Sequence, residues 1–126
     1  MNTSQTTYSA VLGVVLSNKR QLQSMEQGDM AARMGLSQAS YSRLEGGKSA
    51  FSIDQMYQAA TALGVSGEDL SNSLNITVSN LRANGVEVVP QVRGNTTQAK
   101  KQGLDVSGLV AGAALGALLI SILSKK

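Results

Sequence analysis

The sequence predicts an all-α fold: a domain of five short helices, a linker, and a single hydrophobic helix at the C-terminus. Three observations predict it. Apolar residues recur at three-and-four spacing rather than in strict alternation. Polar capping residues and glycines punctuate the N-terminal half at intervals of one short helix. Residues 106–124 (VSGLVAGAALGALLISILS) carry no charge. With one Phe, three Tyr and no Trp in 126 residues, the core must be built from Leu, Ile, Val, Met and Ala, which suits closely packed small helices. The length allows one compact domain with appendages, and turn-bounded alternating runs that would make a β-sandwich are scarce.

Residues 1–7 (MNTSQTT) are polar and lack the basic n-region and cleavage site of a signal peptide, so a flexible arm is expected. Over residues 8–23, Val11, Leu12, Val15, Leu16 and Leu22 give a first helix with one buried stripe. Capping chemistry marks later starts, because a short polar side chain accepts from an orphan N–H of the first turn. Ser24 is followed three residues on by Gln27, Ser52 by Gln55, and Ser66 by Asp69. Gly35, Gly46, Gly47 and Gly64 sit where helices should stop. The expected helices are 8–23, 26–34, 38–45, 53–63 and one starting near 67, and the domain is residues 8–74.

The last of these helices extends if Leu70, Leu74, Thr77, Val78 and Leu81 keep one face until Asn84 and Gly85 break it. Residues 75–85 are then a candidate dimerising extension; alternatively Leu70 and Leu74 close the core and the remainder frays. Residues 86–89, closed by Pro90, could form a short strand, though an isolated strand is marginal in water. Residues 86–103, with the polar run QVRGNTTQAKKQG, read as a linker.

Residues 104–126 form the hydrophobic tail. Its uncharged stretch of nineteen residues would span about 28 Å as a helix, close to a bilayer's hydrocarbon thickness. The expectation is a single-pass helix in a bacterial inner membrane. Arg93, Lys100 and Lys101 precede it and would keep the N-terminal domain in the cytoplasm. Lys125 and Lys126 follow it. Gly108, Gly112 and Gly116 recur every fourth residue, the spacing of a groove for close helix packing in lipid. The alternatives are a helix lying in the interface, a glycine-packed oligomer core, or a buried helix of a soluble assembly.

The absence of Cys and His excludes disulfides, thiolate or imidazole metal sites, and catalysis by a Cys or His nucleophile or base. Eight scattered acidic residues and no phosphate-cradling glycine loop leave no enzyme motif, so neither catalysis nor a cofactor is expected. The net charge of +3 is unevenly placed: residues 1–70 hold five basic against six acidic residues, and the rest six against two.

The most specific segment is residues 26–48, EQGDMAARMGLSQASYSRLEGGK. Two helices are joined by the three-residue turn Gly35, Leu36, Ser37. Ala31 lets the second helix lie close to the first, and Gly35 supplies the positive φ of the turn. Leu36, Tyr41 and Leu44 point into the core, leaving Gln38, Ala39, Ser42 and Arg43 on an outer face that fits a major groove.

Across roughly residues 8–74 the sequence resembles the Cro and C1 repressor (XRE, lambda-repressor-like) helix-turn-helix family. The match includes Gln27, Ala31, Gly35, Ser37, Leu44, Glu45, Gly47, Lys48 and the stretch AATALGVSGEDL at 59–70. The resemblance implies a DNA-binding transcription regulator acting on double-stranded DNA, and the near-neutral charge of the domain predicts weak binding by one copy and hence a homodimer or higher homo-oligomer. It implies that Gln27 anchors a phosphate, that Gln38, Ala39 and Arg43 face base edges, and that Ser40 and Lys48 contact the backbone, with Ser37 and Ser42 on the same surface. Gln38 on adenine and Arg43 on guanine would each contribute roughly 1–3 kcal/mol of discrimination. It also implies a structural ion pair of Arg20 with Glu45. The chain departs from the family at Glu26 in place of a Ser or Thr cap, at Gly28, at Ala39, which offers no hydrogen bond to a base, and at Gly46 in place of a frequent Asn. The near-neutral domain leaves a second expectation open: a small structural, assembly or immunity protein at a membrane, using the same fold for protein contacts.

Overall fold

The computed structural model describes residues 4–91 and 110–123. Among them are six helices, α1 (Tyr8–Leu22), α2 (Gln27–Arg33), α3 (Gln38–Glu45), α4 (Ile53–Leu63), α5 (Gly67–Ala83) and α6 (Gly112–Leu123), and two short strands, β1 (Gln5–Thr7) and β2 (Glu87–Val89).

Local chemistry sets most boundaries. Thr7 Oγ1 accepts from Ala10 N at the start of α1. Ser52 and Gln55 exchange reciprocal bonds of 3.0 Å at the start of α4, and Ser66 Oγ accepts from Asp69 N at the start of α5. Ser24 does not cap α2. It adopts φ +55, ending α1 in the left-handed region while Met25 N returns to Arg20 O. The cap of α2 is Glu26, whose N–H donates to Asp29 Oδ2.

Two cores flank α1. In the first, Leu12, Leu16, Met30, Tyr41, Leu63 and Leu70 pack the helices of the helix-turn-helix unit together. In the second, Val11 and Val14 of α1 meet Val78 and Leu81 of α5, Val88 of β2, and Leu115 and Leu119 of α6. The N-terminal half of α1 is therefore buried on both sides, where one stripe was expected, whereas Leu22, assigned to that stripe, is 86% exposed. Gly13 allows the crossing of α1 and α3: a Cβ there would lie 2.4 Å from Glu45 O.

The second core corrects several expectations. Residues 5–7 are not a loose arm; β1 pairs in parallel with β2, with Thr6 opposite Val88. Val110 adds a backbone bond of 2.7 Å to Gln5 O. The short strand at 86–89 thus finds its partner at the other end of the domain, and the all-α expectation gains a two-stranded ladder. The face expected to dimerise is spent inside the chain, since Leu70 and Leu81 are fully buried and Val78 nearly so.

The membrane expectation is overturned. The tail helix has 12 residues, about 18 Å at the α-helical rise and well short of a bilayer. No helix among the described residues is long and apolar enough to cross a membrane. Gly112 enters α6 at φ +59, and Leu115 and Leu119 face protein. The bacterial inner-membrane placement falls with it. Residues 92–109, which hold most of the expected linker and Gly108, lie outside the described residues, as do Lys125 and Lys126.

Candidate nucleic-acid interface

The turn between α2 and α3 is set by Gly35 at φ +70, a conformation that disfavours a side chain. Leu36 N then bonds back to Ala31 O at 2.9 Å, and Ser37 caps α3 by accepting from Ser40 N at 3.1 Å. With Tyr41 and Leu44 buried, the helix has one remaining rotational choice. Gln38, Ala39, Ser42 and Arg43 all fall on solvent, together with Ser37 and Lys48, and Ser40 is half-buried.

The polar groups on this face are linked. Ser37 Oγ and Ser40 Oγ are 3.0 Å apart, and Arg43 Nη2 reaches Ser40 Oγ at 3.4 Å. Gln38 lies beside the first turn of α2, where a Cβ on Gly28 would sit 3.5 Å from its Oε1. Gln27 is half-buried and donates from Nε2 to Glu45 Oε1 at 3.0 Å. Lys48 N bonds Arg43 O at 2.9 Å, tying the loop after α3 to the helix.

Beneath the face lies the Arg20–Glu45 pair. Nε donates to Oε2 at 3.0 Å and Nη2 to Oε1 at 2.9 Å, a two-point geometry, while Nη1 donates to Met25 O at 2.7 Å. Both residues are buried. Burial opposes the charged form of Glu45, but the bonds from Arg20, the neighbouring Tyr41 hydroxyl and the bond from Gln27 outweigh it and hold the carboxyl below its ordinary range. The same bonds, donated to Glu45, hold the Arg20 guanidinium charged. Burial pushes the Tyr41 phenol well up, and its hydroxyl has no hydrogen-bond partner among the described residues.

Two tail glycines proposed as a packing groove are described. Gly112 sits against Gly46, where a Cβ would lie 3.3 Å from the carbonyl oxygen, whereas a Cβ on Gly116 would meet nothing within 4 Å. Sequence reasoning missed Gly13, although a lone glycine inside VLGVVL was a signal for a close helix crossing. It also missed Arg33 and Gln23, which close the end of α4 by donating to Ala62 O and Leu63 O.

A short capped helix, a glycine turn and a second helix with one exposed polar face define the helix-turn-helix class. Residues 16–70 match the family model described as Helix-turn-helix, of the Cro/C1 type. Among solved structures, the clp gene regulator ClgR from C. glutamicum is similar at a TM-score of 0.53 and 23% identity, over 56% of this chain and 91% of that one. That likeness establishes a shared fold. No curated protein matches the chain.

Proposed function

We propose that this chain is a sequence-specific DNA-binding transcription regulator that acts as a dimer and reads bases with the exposed face of α3. The observation that carries the reading is the grouping of Gln38, Ala39, Ser42 and Arg43 on solvent while Tyr41 and Leu44 anchor the opposite face. Arg43 offers two donors to a guanine edge, Gln38 offers one donor and one acceptor to an adenine edge, and Ala39 gives an apolar contact suited to a thymine methyl. Gln27, Ser37, Ser40 and Lys48 serve the phosphates on either side.

Dimerisation supports a domain whose first 70 residues carry five basic and six acidic groups, because phosphate neutralisation supplies much of DNA affinity. Two copies would present their α3 helices to half-sites about one helical turn apart. With the Leu70 to Leu81 face buried, Leu22, Ile53, Tyr57 and Ile76 are among the exposed apolar side chains available to a partner copy. Selection from a random duplex pool at low salt should recover a two-part motif, and Gln38→Ala with Arg43→Ala should erase it. Recovery of no enriched sequence would end this reading.

The same charge count favours a second reading, in which the fold serves protein contacts. It predicts a partner retained after nuclease treatment and lost when Gln38 and Arg43 are replaced.

A further inference from the structure

A groove of about 550 Å³ opens between the C-terminal half of α1, the edge of α3 and the tail helix α6. Its inner wall carries neutral hydrogen-bonding side chains: Asn18 and Gln21 of α1, Gln27 of α2 and Ser42 of α3. Gly116 and Ala117 of α6 face them across it. Glu45, the charged residue in the lining, is already paired with Arg20 and held by Gln27.

Two features point to the occupant. The first is continuity. Ser42 belongs both to the exposed face of α3 and to the groove, so the groove runs directly off the proposed base-reading surface. A helix seated in the major groove is flanked by phosphate ridges, and amides and hydroxyls are common donors to phosphate oxygens. The second is Gly116, in the interior of a 12-residue helix, where glycine is disfavoured against alanine. A Cβ there would touch nothing within 4 Å. Packing within the chain does not require the glycine; it leaves bare backbone toward the groove.

We infer that one sugar-phosphate strand of bound DNA enters this groove, with α6 as its outer wall, so that the tail extends the nucleic-acid interface beyond residues 16–70. The inference rests on the DNA-binding reading above. It assigns Asn18 and Gln21 to phosphate contact and gives the tail a role in affinity in addition to closing the second core.

The test places charge on the outer wall of the full-length chain. Ala117 is exposed, so Ala117→Lys and Ala117→Glu should melt at the wild-type temperature. Each is titrated with the selected duplex over a range of salt concentrations. Ala117→Lys should tighten binding about 3- to 10-fold at low salt and steepen the salt dependence by about 0.9 in log–log slope, the equivalent of one phosphate. Ala117→Glu, and Asn18→Asp on the inner wall, should weaken it by a similar factor. Wild-type affinity and slope in all three variants, while Arg43→Ala still abolishes the motif, would overturn the groove assignment and leave the DNA reading standing. If the wild-type chain binds no duplex, the DNA reading falls and takes the inference with it. A shift in self-association with unchanged DNA affinity would make the groove a contact between protein copies and overturn the inference.

Discussion

The two cores differ in how far apart their parts lie in sequence. The first draws on residues 12–70, and each of its helices is started by a local cap or stopped by a turn within a few residues of its end. The second gathers Val11 and Val14, Val78 to Val88, and Leu115 and Leu119, tied by a parallel ladder between residues 5–7 and 87–89. The first coincides with the family-matched segment; the second is added around it. The difference implies that the helix-turn-helix unit supplies its own stability, while the strand pair and tail dock on it through α1.

Paired truncations can break that comparison. Leu16 and Leu115 are both fully buried, one in each core, and each Leu→Ala change should cost about 2–5 kcal/mol. Leu16→Ala should lower hydrogen-exchange protection throughout the helices. Leu115→Ala should lower it chiefly in β1, β2 and α6, because local undocking bounds the loss. Equal loss of protection in α2 and α3 for the two variants would mean that the cores form one cooperative unit.

Glu45→Gln tests how the first core supports the reading face. It leaves the buried Arg20 guanidinium without its countercharge, and a loss of about 3 kcal/mol is expected from thermal or urea unfolding. The sign of the pH effect follows from Glu45 being held below its ordinary 4.5 when folded. Its contribution is fully present above that value and is lost as pH falls through the depressed folded value. Acid destabilisation below about pH 4.5 should therefore be shallower in Glu45→Gln than in the wild type.

The smallest expected effect has the opposite sign. Tyr41 buries a hydroxyl without a partner, so Tyr41→Phe should keep the packing and gain about 1 kcal/mol by removing an unmet desolvation cost. A loss of stability would show that the hydroxyl does have a partner.

What could be read from sequence follows the same division. The Ser52 and Ser66 caps and the Gly35 turn are determined by residues three or four apart, so their chemistry is visible locally. Ser24 was misassigned because a serine after a helix serves equally as a start signal, and only its φ of +55 makes it the end of α1. The outward face of α3 follows from helical spacing once Tyr41 and Leu44 are taken as core. The second core was not legible, since no local pattern announces that residues 5–7 will pair with 87–89. The tail was misjudged for a related reason: a charge-free run of Gly, Ala and Leu suits a helix in lipid and a helix against protein alike. Its length as a helix, and Gly112 at its start, decide between them.

The central claim is that DNA is read by the exposed face of α3. A ¹⁵N-resolved titration of the full chain with the selected duplex tests it most directly. The account predicts the largest shifts at the amides of Gln38, Ala39, Ser42 and Arg43, with smaller ones at Gln27 and Lys48, and little change around Leu63 and Leu70. Shifts centred on Ile53 and Tyr57 with α3 unmoved would contradict it.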